Sequence, residues 1–215
     1  MTSNNKNIKI TLIGPPGSGK GTQSMQLKNS YVVSHVSSGD VLRNEVKNGS
    51  DLGKKVKTYM DRGEIGPAEL ITEVILNFVD TNCQDGFVLD GFPRTVYQAE
   101  ELQKRQNLDA ALFISVPEDE IVTRITGRRI CNNCNRIFHV TYSPPQEPDL
   151  CDDCQSPLMQ RSDDTRETVL TRMRVFNEQT KPVLDFYERT GLLKTIDGKA
   201  SPLDVYKKIE AILSA

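Results

Sequence analysis

The chain has 215 residues, of which 37% are hydrophobic and 26% charged, with no Trp and a formal net charge of -2. That length supports one substantial core with room for an insertion or two. The near-balanced charge gives no general attraction to nucleic acid or anionic membranes. No apolar run approaches the ~20 residues needed to cross a bilayer. The polar start Thr2 to Asn7 lacks the apolar core of a signal peptide, so a cytoplasmic location is expected. The five cysteines then argue against disulfides.

The apolar run Ile8 to Ile13 predicts a first strand, and it feeds directly into Gly14-Pro15-Pro16-Gly17-Ser18-Gly19-Lys20-Gly21-Thr22. A strand entering a glycine-rich turn that ends in Lys is a phosphate cradle: converging backbone N–H groups, a helix N-terminus starting near Lys20, and a point charge on Lys20. Four further short, β-rich segments follow, Tyr31 to Val36, Phe87 to Asp90, Ala110 to Val116 and Leu192 to Asp197. Their lack of alternation predicts strands buried on both faces.

Helical patterns lie between them. After Pro67 the stripe Leu70, Ile71, Val74, Ile75 and Phe78 points inward, and another helix follows Pro117 with Glu118, Asp119 and Glu120 in its first turn. The last helix is announced by Ser201-Pro202-Leu203-Asp204 and buries Leu203, Tyr206, Ile209 and Leu213. The alternation predicts an α/β fold with a five-stranded parallel sheet flanked by helices. A helical segment, Ser38 to Gly66, and a loop-rich one, Arg128 to Arg161, interrupt it. The latter carries Pro144, Pro145, Pro148 and Pro157 and cannot build its own apolar core.

Cys131 and Cys134 are separated by two residues, as are Cys151 and Cys154, with sixteen residues between the pairs. This is structural zinc spacing. Each pair chelates from one tight turn, and four thiolates close a tetrahedral shell with no open position for catalysis. Such binding is worth about 10 to 16 kcal/mol in small peptides, ample to order a segment of this size. Cys83 stands outside the pattern as an idle thiol, and His139, beside a shell already filled, reads as ordinary loop structure.

Asp90 ends a predicted strand, where a nucleotide-binding sheet places the carboxylate that holds magnesium or its waters. Gly91-Phe92-Pro93-Arg94 follows at once and sets an arginine at the carboxyl edge of the sheet. Arg124 and Arg128 are four apart at a helix end, so they can share a face, and Arg161 and Arg172 flank Asp163-Asp164, so arginines bracket the cysteine-rich insertion at both roots. Moving a phosphoryl group requires neutralising the charge on its oxygens, for which one arginine can be worth ~10³ to 10⁵ in rate. The two histidines, His35 and His139, join no acid–base constellation, which suits an acceptor phosphate that needs no general base.

On these residues the chain resembles the adenylate kinases, specifically the long form with a zinc-stapled lid, from about Ile8 to Leu213. The resemblance implies a P-loop kinase core (1–36, 67–123 and 165–215), an AMP-binding segment (37–66) and a zinc lid (124–164). It further implies the reversible transfer ATP + AMP ⇌ 2 ADP with Mg²⁺, by a monomer that binds ATP, AMP and ADP. Gly14, Gly17, Ser18, Gly19, Lys20, Gly21 and Thr22, with Arg124, Arg128, Ile137, Phe138 and Lys199, would hold ATP. Ser38, Gly39, Arg43, Glu64, Ile65, Gly66, Gly91, Phe92, Pro93, Arg94, Gln98, Arg161 and Arg172 would hold AMP, with Gln98 reading the adenine edge. Lys20, Arg94, Arg128, Arg161 and Arg172 would carry the chemistry, Asp90 would hold magnesium through water, and Cys131, Cys134, Cys151 and Cys154 would hold zinc. Ser38 stands where Thr is frequent, and Glu64 and Gly66 stand where the family more often has a neutral or basic residue and then Val.

Two rivals make different demands. A kinase for another nucleoside monophosphate differs only in the base pocket. An ATP-driven zinc-ribbon nucleic-acid binder would use Arg124, Arg128, Arg129 and Arg136 beside the zinc, but such ribbons bring aromatic platforms or overall positive charge, which this chain lacks.

Overall fold

A computed structural model describes residues 7–214. Its main sheet has five strands, all parallel, in the order β2-β3-β1-β4-β8: β1 Lys9–Ile13, β2 Ser34–Ser37, β3 Phe87–Asp90, β4 Ala110–Ser115 and β8 Leu193–Asp197. Every expected strand is present. The three central strands are buried on both faces, as their continuous apolar runs require. The two outer strands are not, and in β8 only Ile196 is buried. β2 starts at Ser34 rather than Tyr31, because Tyr31 turns inward as the cap of α1 (Lys20–Ser30), with its N–H on the Leu27 carbonyl.

One face packs on α1 and α9 (Pro202–Ser214) through Ile10, Leu12, Leu27, Val88, Leu112, Ile209 and Leu213. The other packs on α2 (Ser38–Lys47), α3 (Asp51–Arg62), α4 (Ala68–Asn82) and α5 (Val96–Arg105) through Val36, Val56, Ile75, Leu76, Phe87, Leu89 and Leu102. The segment 38–66 is thus two helices. Ser37 Oγ accepts from the Asp40 N–H and Ser50 Oγ from the Gly53 N–H at their N-termini. Two inward stripes are displaced from expectation. On α4 the buried residues are Ile71, Thr72, Ile75, Leu76 and Val79 while Phe78 is exposed, and on α9 Val205 is buried while Leu203 is exposed. In both helices the buried stripe is shifted around the helix, toward the neighbouring elements, and is no wider than expected. Pro67 and Pro117 sit one residue before their helices, at the cap position.

The insertion after α6 (Glu118–Thr126) is a second, antiparallel sheet of β5 Arg128–Cys131, β6 Ile137–His139 and β7 Leu158–Met159, in the order β6-β5-β7. The chain returns through α7 (Arg166–Val175), a π-helical turn Phe176–Thr180 and α8 (Lys181–Arg189). The chain runs from β1 to β2 and β3 on one side of it and then crosses to β4 on the other, so the carboxyl ends of β1, β3 and β4 form the crevice where such sheets bind ligands. No helix among the described residues is long and apolar enough to cross a membrane.

Candidate active site

β1 delivers the chain to Gly14, and the loop turns through left-handed Gly17 (φ 73°) and Gly19 (φ 96°). A Cβ at Gly19 would meet nothing within 4 Å, so the loop opens to solvent there. α1 then begins with no side-chain cap and no acidic residue in its first turn, leaving its N-terminal N–H groups and positive dipole end for an anion. Lys20 Nζ curls over this loop, donating to the carbonyls of Gly14 (2.8 Å) and Pro15 (2.9 Å). Burial pulls the Lys20 ammonium down to about 8, opposed by Asp90 and reinforced by Arg94, Arg128 and Arg172.

Asp90 lies at the end of β3, its Oδ2 3.8 Å from His35 Nε2 on β2. Burial works against its charge, but His35 and the Lys20 ammonium outweigh it and hold the carboxyl below the ordinary range. An ionised carboxylate beside the phosphate loop has the chemistry of a magnesium site, holding the ion through water while phosphate oxygens complete the shell.

The arginines meet across the crevice, and four of them, Arg43, Arg128, Arg161 and Arg172, lie against an acid. Arg128 grips Asp164 with two prongs (Nε to Oδ2 2.9 Å), Arg172 pairs with Asp163 and lies 3.8 Å from Asp164, and Arg43 pairs with Asp40. Arg161 lies 3.5 Å from the same Asp40. Arg94 Nε donates to the Gly91 carbonyl (2.7 Å), and Ser38 Oγ donates to it as well (2.7 Å). Burial, then neighbouring guanidiniums, push Arg94 and Arg161 down to about 10. They stay charged at neutral pH. The compressed cations define a place for a polyanion, whose arrival would relieve their repulsion.

A cleft opens between α2, α3 and this cluster, with Leu42, Val56, Met60 and Ile71 as apolar walls and Ser38, Arg43, Arg94 and Gln98 as polar ones. Gly39, Glu64, Ile65, Gly66, Gly91 and Phe92 also line it. Gln98 is buried, its Oε1 accepting from the Arg94 N–H (2.8 Å) while its Nε2 has no partner. An orphaned buried amide donor at a cleft wall is matched to a ligand acceptor.

In the insertion all four cysteine Sγ atoms lie within 4.8 Å of one another, with Cys131–Cys154 at 3.4 Å, Cys134–Cys151 at 3.5 Å and Cys134–Cys154 at 3.7 Å. Four sulfurs at ~2.3 Å from a zinc stand ~3.8 Å apart, so the cluster fits that ion. Two equivalent turns present the pairs. Asn135 and Gln155 are both left-handed and donate to the carbonyls of Cys131 and Cys151. Hydrogen bonds from Ser156 and Asn133 pull the Cys154 thiol down to about 6, toward the thiolate a metal needs.

Ile137 reaches the phosphate loop, its Cδ1 3.0 Å from where a Cβ on Gly21 would lie. Phe138 instead packs inside the cysteine knot under Arg136. Arg124 donates to the Gly198 carbonyl (3.1 Å) and pairs with Glu120, while the Lys199 N–H bonds Asp197. Arg136 is paired with Asp152 and Asp153, and Arg129 donates to the carbonyls of Thr126 and Arg128. The cations a nucleic-acid ribbon would need are therefore engaged. His139 is not loop: it ends β6, buried against α6.

A profile of the family described as Adenylate kinase matches residues 12–192. The chain belongs to the adenylate kinase family. It is 43% identical over 212 residues to the adenylate kinase of Archaeoglobus fulgidus, covering 96% of this chain and 98% of that one. To that of Acetivibrio thermocellus it is 42% identical over 213 residues (96% and 98%), and to that of Caldicellulosiruptor bescii 44% over 208 residues (94% and 97%). Asp40, to which the sequence assigned no role, stands three before Arg43 on one helix, a spacing that signals their pairing. Asp164 was not legible as a partner of Arg128, because 36 residues separate them. Nor was the inward position of His139.

Proposed function

We infer that this member of the adenylate kinase family transfers a phosphoryl group reversibly between MgATP and AMP, giving two ADP. The observation that carries the reading is the convergence of Lys20, Arg94, Arg128, Arg161 and Arg172 on one crevice between the phosphate loop and a base-sized cleft holding the unpartnered Gln98 Nε2. In this reading the core is 1–36, 67–123 and 165–215, the segment 37–66 holds AMP and 124–164 forms the lid. The protein works as a cytoplasmic monomer.

ATP would lie with its phosphates in the loop Gly14 to Thr22, beneath Arg124 and Arg128. Ile137, the Phe138 backbone and Lys199 would border its base. The AMP phosphate would meet Ser38, Arg43 and Arg94, and its base the Ile65–Gly66 wall and Gln98. Magnesium, held near Asp90 through water, would neutralise the ATP phosphate oxygens. The arginines stabilise charge on the phosphoryl group in flight, and the acceptor phosphate needs no base. Zinc in the cysteine knot would order the lid, whose closure excludes water that would otherwise take the phosphoryl group.

A coupled assay of ADP formation with AMP, GMP, CMP and UMP in turn tests this. AMP is expected to give the highest kcat/KM, with ATP hydrolysis in its absence far slower than transfer. Preference for another monophosphate, or hydrolysis at the transfer rate, overturns it.

A further inference from the structure

His139 is one of two histidines in the sequence, and neither the phosphoryl chemistry nor the metal knot uses it. Its ring is nonetheless fully engaged. The N–H groups of Thr141 and Tyr142 both point at Nδ1 (3.0 Å each), and Nε2 lies 3.2 Å from the Thr123 carbonyl in the last turn of α6. Two donors aimed at Nδ1 require a lone pair there, so the proton sits on Nε2 and is donated to Thr123. The Tyr142 ring covers the imidazole at a centroid distance of 4.4 Å. Gly127, which ends α6, admits this approach: a Cβ there would lie 2.4 Å from Nε2. The Val140 N–H closes the junction on the Gly127 carbonyl (3.0 Å).

The next residue is Arg128, the cross-strand partner of His139 in the β5–β6 ladder. We propose that His139 is a positioning residue: as its neutral Nε2–H tautomer it bolts the lid hairpin to the end of α6 and so fixes the angle at which β5 presents Arg128 to the ATP phosphates. It works through geometry alone. A guanidinium one residue from a loosened junction is displaced by a distance comparable to ~1 Å, which can cost ~10²-fold in rate. The inference rests on the reading of Arg128 as a phosphate clamp.

The test compares His139→Leu, which removes all three bonds, with His139→Asn, whose Oδ1 takes the place of Nδ1, and His139→Gln, whose amide takes the place of Nε2. Each is measured for kcat and KM toward MgATP and toward AMP, zinc content and melting temperature. In parallel, ¹⁵N resonances of the wild-type ring report the tautomer. His139→Leu is expected to lower kcat/KM for MgATP by about 10- to 100-fold with the AMP KM within about twofold and zinc content unchanged. His139→Asn should recover most of the loss and His139→Gln less. In an Arg128→Met background the Leu substitution should change little more.

A zinc-loaded Leu variant with wild-type MgATP kinetics overturns the inference, as does an equal loss toward both nucleotides or an Nδ1–H tautomer in the native ring. If the Leu variant does not fold, the Asn variant and the ring tautomer decide. Normal MgATP kinetics in Arg128→Met alone would instead sink the clamp reading.

Discussion

Asp164 is fully buried and accepts both prongs of Arg128, which joins the outgoing root of the lid to the incoming one, 36 residues later in the chain. Arg172 approaches the same carboxylate at 3.8 Å. The carboxylate therefore spaces two guanidiniums that would otherwise repel, and holds them facing the crevice. Asp164→Asn keeps the shape but loses the charge, leaving two cations facing one neutral amide. Because both arginines are partly solvated, the expected cost is about 1 to 3 kcal/mol, a drop in melting temperature of roughly 2 to 10 °C for a chain of this size. Calorimetry measures the drop, and turnover should fall by about tenfold or more as the arginines lose alignment. A variant as stable and active as the wild type would show the pair to be idle.

Lys20 carries the pH dependence. Its free-enzyme value near 8, set first by burial, means that kcat/KM for MgATP falls as pH rises above about 8. Bound phosphates favour the ammonium, so the limb in kcat lies at higher pH. Stability moves the other way. Between about 8 and the ordinary lysine value of 10.5 the unfolded chain holds more protons on Lys20 than the folded one, so this group makes folding more favourable as pH rises. Asp40, Asp90 and Asp163, all held below 3.8, contribute stability that is present above that value and lost as pH falls through their folded ones. Initial-rate profiles with and without saturating MgATP separate the two limbs. A kcat/KM profile flat to pH 10 would remove Lys20 from phosphate binding.

Much of this arrangement was legible in the chain because it is local. The phosphate loop, the strand-ending Asp90 and the paired cysteine turns each occupy a short window in which residue type and spacing dictate geometry. The carboxylates that reach across to the arginines were not, since Asp164 meets Arg128 and Asp40 meets Arg161 only once the fold brings distant segments together. Phe138 shows the same limit. Its position in the sequence beside Ile137 says nothing of the alternation across β6 that turns one side chain to the phosphate loop and the other into the cysteine knot. Phe78 and Leu203, exposed where periodicity turned them inward, mark helix faces chosen by neighbours rather than by pattern.

The four cysteines pack with Phe138 and Leu158 inside the insertion. Cys131→Ser, or chelation, should lower the melting temperature by well over 5 °C, since a metal held there would anchor two turns in a segment whose own apolar cluster is little more than Phe138, Leu158 and the cysteines. Intrinsic turnover measured well below that temperature should fall far less. Thermal scans and rates at low temperature, with zinc content measured alongside, check both halves. Loss of all turnover with an unchanged melting point would make the metal chemical rather than structural.

Gln98 offers a way to read the base. Its Oε1 is occupied by the Arg94 N–H, so only the buried Nε2 is left to meet a ligand, and it can only donate. Adenine presents an acceptor at N1, whereas 6-oxopurines present N1–H there. Gln98→Glu keeps the acceptor for Arg94 and replaces the donor with a carboxylate oxygen, so the AMP KM should rise about 5- to 100-fold, the cost of an unpaired buried polar contact. The MgATP KM should hold within about twofold. The ratio of kcat/KM for IMP or GMP over AMP should rise, since the new oxygen can accept from N1–H. Steady-state kinetics with the three monophosphates measure this, and an AMP KM unchanged by the substitution would mean that the base lies elsewhere in the cleft.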